Sequence, residues 1–177
     1  MNHINFISFK NTLKIAVLFC IAFFYAQCNT TQYDSGTSNR SATSAEMKKR
    51  NDIVEFAKQY VGAKYKYGGK DKKGFDCSGL TYNVMKNFGI DLIPVSREQE
   101  KQGAFVMVNQ VKPGDLLFFR RKKNGNVFHV ALVVDRTMKG TFVIHSTSSR
   151  GVVLENIDTN SWWREKYRTA RDVVSGR

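Results

Sequence analysis

The spacing of apolar residues changes near Gly103, and this change limits the possible folds more than any other feature of the chain. Before Gly103, apolar residues recur at helical spacing in residues 46–61 and again in the segment that follows Cys77. After it, turn signals separate four short apolar runs, at residues 116–119, 127–134, 141–145 and 152–154. Helices followed by consecutive strands predict an α+β domain, with N-terminal helices packed on an antiparallel sheet.

The beginning of the chain has the features of an export signal. Lys10 and Lys14 precede an apolar run at residues 15–26, which has signal-peptide length and is short for a transmembrane helix. Cys28 closes the run and resembles the acylated cysteine of bacterial lipoproteins, although Gln27 stands where that site usually has a small residue. A plain secretory signal and an uncleaved anchor are the alternatives.

These features predict three segments. Residues 1–27 would be a lipoprotein signal peptide, residues 28–45 the lipidated Cys28 and a flexible tether, and residues 46–177 the folded catalytic domain. The tether is rich in Ser, Thr, Asn and Gln, so it lacks the apolar surface needed to fold. We expect an exported protein, anchored by its lipid in the outer membrane and facing the cell wall from the periplasm.

The chain is strongly basic, with a formal net charge of +13 and a pI near 9.8. This balance favours an anionic partner such as a nucleic acid, a membrane surface or an acidic wall polymer. No nucleic-acid-binding module is recognisable, so we expect no nucleic acid partner. The two densest basic runs, at residues 48–50 and 120–123, are interpreted as solvated surface.

Cys77 is the candidate nucleophile. Cys20 lies within the signal and Cys28 would carry lipid, which leaves one free thiol in an exported domain, where cysteines usually pair. A glycine-rich loop precedes Cys77 and a helical pattern follows it, so Cys77 would begin a helix. Unpaired backbone N–H groups and the helix dipole favour an anion there and predict a lowered thiol pKa. The alternative is that Cys77 is a small buried hydrophobic residue.

His129 and His145 would complete a thiol-dependent site. Both lie in apolar strand-like runs, where a single histidine is commonly part of the core. Together with Cys77 they suggest a nucleophile, a general base and acid (His129) and a group that orients it (His145). A zinc site is the competing use of these residues, but they lack short paired spacing. The hypothesis that Ser78 is the nucleophile has still less support, because no nucleophile-elbow pattern surrounds it. We therefore expect neither metal nor cofactor.

Five short motifs, taken together and in order, resemble the NlpC-type bacterial cell-wall cysteine peptidases, and most of all the lipoprotein murein endopeptidases of the Spr type. The resemblance covers about residues 53–173, essentially the whole predicted domain. The motifs are Tyr-Lys-Tyr-Gly-Gly at 65–69, Asp-Cys-Ser-Gly at 76–79, Pro-Gly-Asp and its following strand at 113–119, His-Val-Ala at 129–131 and Ile-His-Ser at 144–146.

The resemblance implies a minimal papain-like fold, in which Cys77, His129 and His145 form the catalytic triad. It implies hydrolysis of an amide bond in the murein stem peptide or cross-link. We expect a monomer with peptidoglycan as substrate. The alternatives are an amidase or acyltransferase of the same fold that acts on a different amide or ester, and a non-catalytic wall-binding lipoprotein.

The resemblance also implies substrate-binding roles for residues near the nucleophile. Tyr65 matches a tyrosine that lines the site and helps to stabilise the oxyanion, although it could equally be a packing aromatic. Asp76 and Ser78 flank the cysteine at positions that contact a free substrate amine in some relatives. From the residues alone, Ser78 is equally well explained as a helix-start residue.

Overall fold

The computed structural model describes residues 43–176. The predicted signal peptide, the lipidation site Cys28 and most of the predicted tether lie outside these residues. The first helix begins at Ser44, two residues before the predicted start of the domain at residue 46. Thr43 caps that helix by accepting a hydrogen bond from the Glu46 backbone N–H at 3.2 Å. Within residues 43–176, no helix has the length and apolar character required to cross a membrane.

Residues 43–176 contain four α-helices and one 3₁₀ turn, interspersed with strands. The helices are α1 (Ser44–Lys58), α2 (Cys77–Lys86), α3 (Ser96–Gln99) and α4 (Ser161–Arg164), and the 3₁₀ turn is Val108–Gln110. The strands are β1 (Lys70–Asp71), β2 (Gly74–Phe75), β3 (Ala104–Val106), β4 (Leu116–Arg120), β5 (Val127–Thr137), β6 (Gly140–Thr147), β7 (Gly151–Asn156) and β8 (Tyr167–Asp172).

A six-stranded sheet of order β3-β8-β4-β5-β6-β7 forms the centre of the domain, and every neighbouring pair in it is antiparallel. The predicted α+β class is therefore confirmed. The predicted meander corresponds to β4 through β7. The final strand β8 returns to lie between β3 and β4, which the apolar pattern did not predict. β1 and β2 form a separate small hairpin inside the predicted glycine-rich loop.

The sheet is buried on both faces, and alternate residues of β4 show this most clearly. Leu116 and Phe118 pack with the helix-side core, which includes Ile53 of α1. Leu117 and Phe119 pack into the second core on the opposite face. These four side chains are all fully buried, so the first four residues of β4 form a continuous apolar run rather than an alternating one.

Arg50 corrects one interpretation of the sequence, because this member of the first basic run is completely buried. Its guanidinium bonds Glu46 Oε1 at 2.7 Å, Asp115 Oδ1 at 2.9 Å and Asp172 Oδ1 at 2.8 Å. The predicted solvated face therefore holds for Lys48, which is exposed, and is wrong for Arg50. Arg50 joins α1 to the start of β4 and the end of β8.

Candidate active site

Cys77 is the first residue of α2, as its sequence context predicted. Asp76 is the N-cap, and its Oδ1 accepts a hydrogen bond from the Gly79 backbone N–H at 2.6 Å. Its Oδ2 accepts another from the Gly68 N–H at 2.9 Å. One carboxylate thus caps the helix and ties the preceding loop to it, which holds the Cys77 backbone in place.

The glycines of the two motifs allow this loop and α2 to approach each other closely. A Cβ atom at Gly79 would lie 1.9 Å from the Gly69 carbonyl oxygen. The same oxygen accepts a hydrogen bond from the Asp76 N–H at 3.1 Å. A side chain at position 79 would therefore push the loop away from the start of the nucleophile's helix.

Ser78 and Asp76 take structural roles in the unliganded domain. Ser78 is buried, and its hydroxyl is within hydrogen-bond distance of Asp76 Oδ1 at 3.1 Å and the Pro94 carbonyl at 3.3 Å. Neither residue is among those that line the adjacent cleft. Their predicted contact with a substrate amine stays a prediction.

A cleft of about 510 Å³ opens above Cys77. Tyr65, Cys77 and His129 line it together, so the structure brings three of the predicted site residues to one surface. The Val130 backbone N–H acts on the Cys77 thiol and lowers its pKa, so the nucleophile lies close to the strand that carries His129. His145 lies behind His129 and is completely buried.

A chain of hydrogen bonds runs from His129 across three strands. His129 Nε2 lies 2.8 Å from His145 Nδ1, and His145 Nε2 lies 2.6 Å from Glu155 Oε1. The β6–β7 register pairs His145 with Val153, so Glu155 stands two residues beyond and on the same face. The strands are therefore paired in a register that places His145 between His129 and Glu155.

Glu155 determines which ring nitrogens carry hydrogen. The pKa of Glu155 would be raised by its partial burial, but hydrogen bonds from His145, Arg150 and Asn160 hold it far below the usual range. An ionised carboxylate only accepts, so His145 carries its hydrogen on Nε2 and accepts at Nδ1. His129 then donates from Nε2, which leaves His129 Nδ1 unprotonated and free to act as the base.

Sequence reasoning missed Glu155 and the role of Trp163. Trp163 Nε1 donates to Glu155 Oε1 at 3.0 Å, and its ring stacks on His129 with centroids 4.6 Å apart. Glu155 directly follows the apolar run of β7, and only the strand register could have identified it.

The predicted lowering of the Cys77 pKa is wrong. Burial raises the pKa of the Cys77 thiol to about 11, although N–H groups of Val130 and Ser78 act in the opposite direction. Burial and the neighbouring His145 lower the pKa of His129 well below its usual value. Burial therefore outweighs these N–H groups, and the resting pair is a neutral thiol beside a neutral imidazole.

The competing zinc arrangement does not match this geometry. Both ring nitrogens of His145 are already engaged, one by His129 and the other by Glu155. Over residues 43–176, no group of three or more potential ligands is placed to hold a metal ion. The arrangement is suited instead to moving a proton between a thiol and an imidazole.

The model of the NlpC/P60 family matches residues 62–172, which include the whole cleft region. The chain belongs to the NlpC/P60 family. The predicted resemblance to NlpC-type proteins is thus confirmed, and the match begins shortly before Tyr65 and ends with β8.

Two relatives illustrate the range of proteins that this chain is similar to. It is 38% identical over 126 residues to the gamma-DL-glutamyl hydrolase of Bacillus subtilis, covering 70% of this chain and 30% of that one. It is 29% identical over 127 residues to the murein DD-endopeptidase MepS/murein LD-carboxypeptidase of Escherichia coli, covering 71% and 64%. The chain thus matches less than two thirds of the length of either relative.

Solved structures support the same fold. The crystal structure of an NlpC/P60 family protein from Bacillus cereus superposes with a TM-score of 0.64 at 31% sequence identity. The superposition covers 71% of this chain and 40% of the other. The helices and antiparallel sheet of this chain therefore form the fold of the NlpC/P60 family.

Proposed function

We propose that this domain is a thiol-dependent peptidoglycan endopeptidase that hydrolyses an amide bond in the murein stem peptide or cross-link. One observation carries the proposal: the Cys77 thiol, at the start of a helix, shares a cleft with His129. The hydrogen bonds from His129 to His145 and from His145 to Glu155 leave His129 Nδ1 unprotonated, so that it can act as a base. The substrate class is supported by the family and by relatives that are named as murein and glutamyl hydrolases.

The first step forms a thioester. Because thiol and imidazole are both neutral at rest, His129 Nδ1 takes the Cys77 proton as the sulfur attacks the amide carbonyl carbon. His129 becomes an imidazolium that still donates to His145, and His145 donates to the Glu155 carboxylate. The negative charge of Glu155 therefore stabilises the positive charge formed in this step.

Donors near the helix start would stabilise the tetrahedral oxyanion. The backbone N–H groups of Cys77 and Ser78 lie beside the sulfur, at the end of α2 where no intrahelical acceptor is available. Tyr65 lines the same cleft, and burial together with Cys77 and Asp76 raises the pKa of its hydroxyl, which keeps it protonated.

Collapse of the intermediate completes the cycle. His129 returns its proton to the nitrogen of the leaving amine, and the acyl group stays on Cys77 as a thioester. Water then attacks the thioester, and His129 takes one of its protons and delivers it to the leaving sulfur. The products are a new amine, a new carboxylic acid and the original Cys77 thiol.

The proposal is tested by mass spectrometry of soluble fragments released from purified sacculi. The intact chain and a Cys28→Ala variant should release new muropeptides, while Cys77→Ala should release none. Cys28→Ala is the matched control, because it makes the same cysteine-to-alanine change outside the cleft. Sacculi of several stem chemistries left uncut by all three proteins would contradict the proposal. Sacculus binding without cleavage would then favour the non-catalytic alternative, and turnover of another amide or ester would favour an amidase or acyltransferase.

We also propose that Cys28 is acylated and that the chain is an outer-membrane lipoprotein facing the periplasm. The support is the basic N-terminus, the apolar run 15–26 and the cysteine that closes it. Cells fed a clickable palmitate analogue should label the wild-type chain but not Cys28→Ala, which should leave the membrane fraction. Label that persists in Cys28→Ala would contradict acylation at this cysteine.

A further inference from the structure

The charged side chains of the cleft are all of one sign. Among the described residues that line it, Arg121 and Arg150 are cationic and none carries a carboxylate. Lys166 adds a further positive charge at the rim, where its ammonium lies 4.0 Å from the ring centroid of Trp162. A cleft of this kind concentrates anionic groups close to the nucleophile.

Arg121 is held in place without an anionic partner of its own. Its guanidinium carbon lies 4.6 Å from the ring centroid of Phe128, also in the cleft lining. Within residues 43–176, no carboxylate pairs with it, and the side chain is exposed. Packing over an aromatic ring orients the guanidinium and leaves N–H donors at its edge, a geometry that matches the two oxygens of a carboxylate.

Arg150 lies between the cleft and the hydrogen-bond chain. Its Nη2 donates to Glu155 Oε1 at 2.6 Å, while the side chain stays 47% exposed. Its other guanidinium nitrogens have no hydrogen-bond partner among the described residues. Arg150 can therefore donate hydrogen bonds to a second carboxylate while it stays bonded to Glu155.

We propose that Arg121 and Arg150 form a carboxylate-recognition site, so that the enzyme selects amide bonds close to a free carboxylate. This inference rests on the proposed function, since it specifies which peptidoglycan peptides the cleft accepts. Two groups of a stem peptide offer this chemistry: the α-carboxylate of a γ-linked glutamyl residue and the carboxylate at the C-terminus. Amidation removes the charge of either group with little change in shape.

The test measures binding to the full-length Cys77→Ala chain by isothermal titration calorimetry. The probes are a synthetic stem tetrapeptide with both carboxylates free and two copies, each amidated at one of them. A charge-assisted hydrogen bond predicts that amidation of the recognised carboxylate weakens binding by about tenfold. The copy that loses affinity identifies which carboxylate is recognised. Equal binding of all three peptides, or binding of none, would overturn the inference.

A second variant separates recognition from general charge. Arg121→Gln, added to Cys77→Ala, should bind the free and amidated peptides with nearly equal affinity. Lys123→Gln is the matched control, because it removes the same charge from the same loop and Lys123 is exposed outside the cleft lining. An equal loss of discrimination in both variants would overturn the site.

The proposed function is followed separately, through sacculus hydrolysis by the chain with Cys77 intact. Hydrolysis without carboxylate preference contradicts this inference alone. Carboxylate preference without hydrolysis supports the recognition site and contradicts the endopeptidase.

Discussion

Replacement of Glu155 by Gln tests the hydrogen-bond chain most sharply, because it removes a charge and keeps the size of the side chain. Two hydrogen bonds, of 2.8 and 2.6 Å, and one imidazole ring separate the carboxylate from His129. At roughly 8 Å and an effective dielectric constant of about 20, the carboxylate attracts an imidazolium by about 2 kcal/mol. That energy corresponds to a rate factor of about 30.

We therefore expect Glu155→Gln to lower kcat by about 30-fold. Any change in KM would act through Arg150, because Glu155 lies outside the cleft lining but accepts a hydrogen bond from that cleft residue. Its carboxylate raises the pKa of His129, so the substitution should lower that pKa further and move the acid limb of the kcat/KM profile to lower pH. The assay is the initial rate of muropeptide release across pH, with thermal unfolding measured in parallel.

Glu165→Gln is the matched control, since Glu165 is exposed and follows α4 outside the hydrogen-bond chain. It should retain the wild-type kcat within about twofold, because surface substitutions rarely change more than ~0.5 kcal/mol. A Glu155→Gln variant that folds normally and keeps the wild-type kcat would refute the role given to the carboxylate. An equal loss in both variants would show an effect of net charge instead.

Three further predictions concern the thiol, the buried arginine and the helix start. The thiolate is the form that iodoacetamide alkylates, and the pKa of Cys77 is about 11. The alkylation rate of the free enzyme should therefore rise about tenfold for each pH unit between about 7 and 10. A rate that is already maximal at pH 7 would show that the thiolate is present at rest and would contradict the raised pKa. Arg50→Met should lower the free energy of unfolding in urea by about 3–5 kcal/mol, because it removes the buried cation that pairs with Asp115 and Asp172. Lys48→Met should change that free energy by less than about 0.5 kcal/mol; equal effects would contradict this. Gly79→Ala would place a methyl carbon 1.9 Å from a carbonyl oxygen, so the cost of overpacking, about 1–3 kcal/mol, should exceed the gain in helix propensity, about 1 kcal/mol. The variant should therefore be less stable and less active, whereas Lys86→Ala, at an exposed position, should reduce neither stability nor activity. A more stable, fully active Gly79→Ala would refute the close approach.

Local signals were sufficient to find the nucleophile. A glycine-rich loop and a helical apolar pattern are both encoded within a few residues of Cys77, so its place at the start of α2 could be predicted, although the capping residue proved to be Asp76 and not Ser78. The thiol's protonation could not, because burial depends on residues far along the chain. Val130, which contacts the sulfur, is 53 positions from Cys77.

Strand register explains why the hydrogen-bond chain was predicted only in part. His129 and His145 stood out as polar residues in apolar runs, but their contact depends on how β5 pairs with β6, where the register shifts between Val133 and Asp135. Glu155 requires a second register, that of β6 with β7. A slip of one residue in either pairing would turn a side chain to the opposite face.

Long-range charge pairing explains the other differences. Arg50 reads as part of a solvated basic run because its partners Asp115 and Asp172 are distant in sequence. β8 contains charged residues and lacks a continuous apolar run, so its place inside the sheet, next to the edge strand, depends on pairing with β3 and β4. Neither feature has a local signature.

The most direct test of the account is the detection of the thioester itself. The purified chain is mixed with soluble peptidoglycan fragments, quenched in acid during turnover, digested and examined by mass spectrometry. The account predicts that the peptide containing Cys77 gains the mass of the acyl fragment, and that Cys77→Ala shows neither the adduct nor product. An adduct on another residue, or product release that continues in Cys77→Ala, would contradict it.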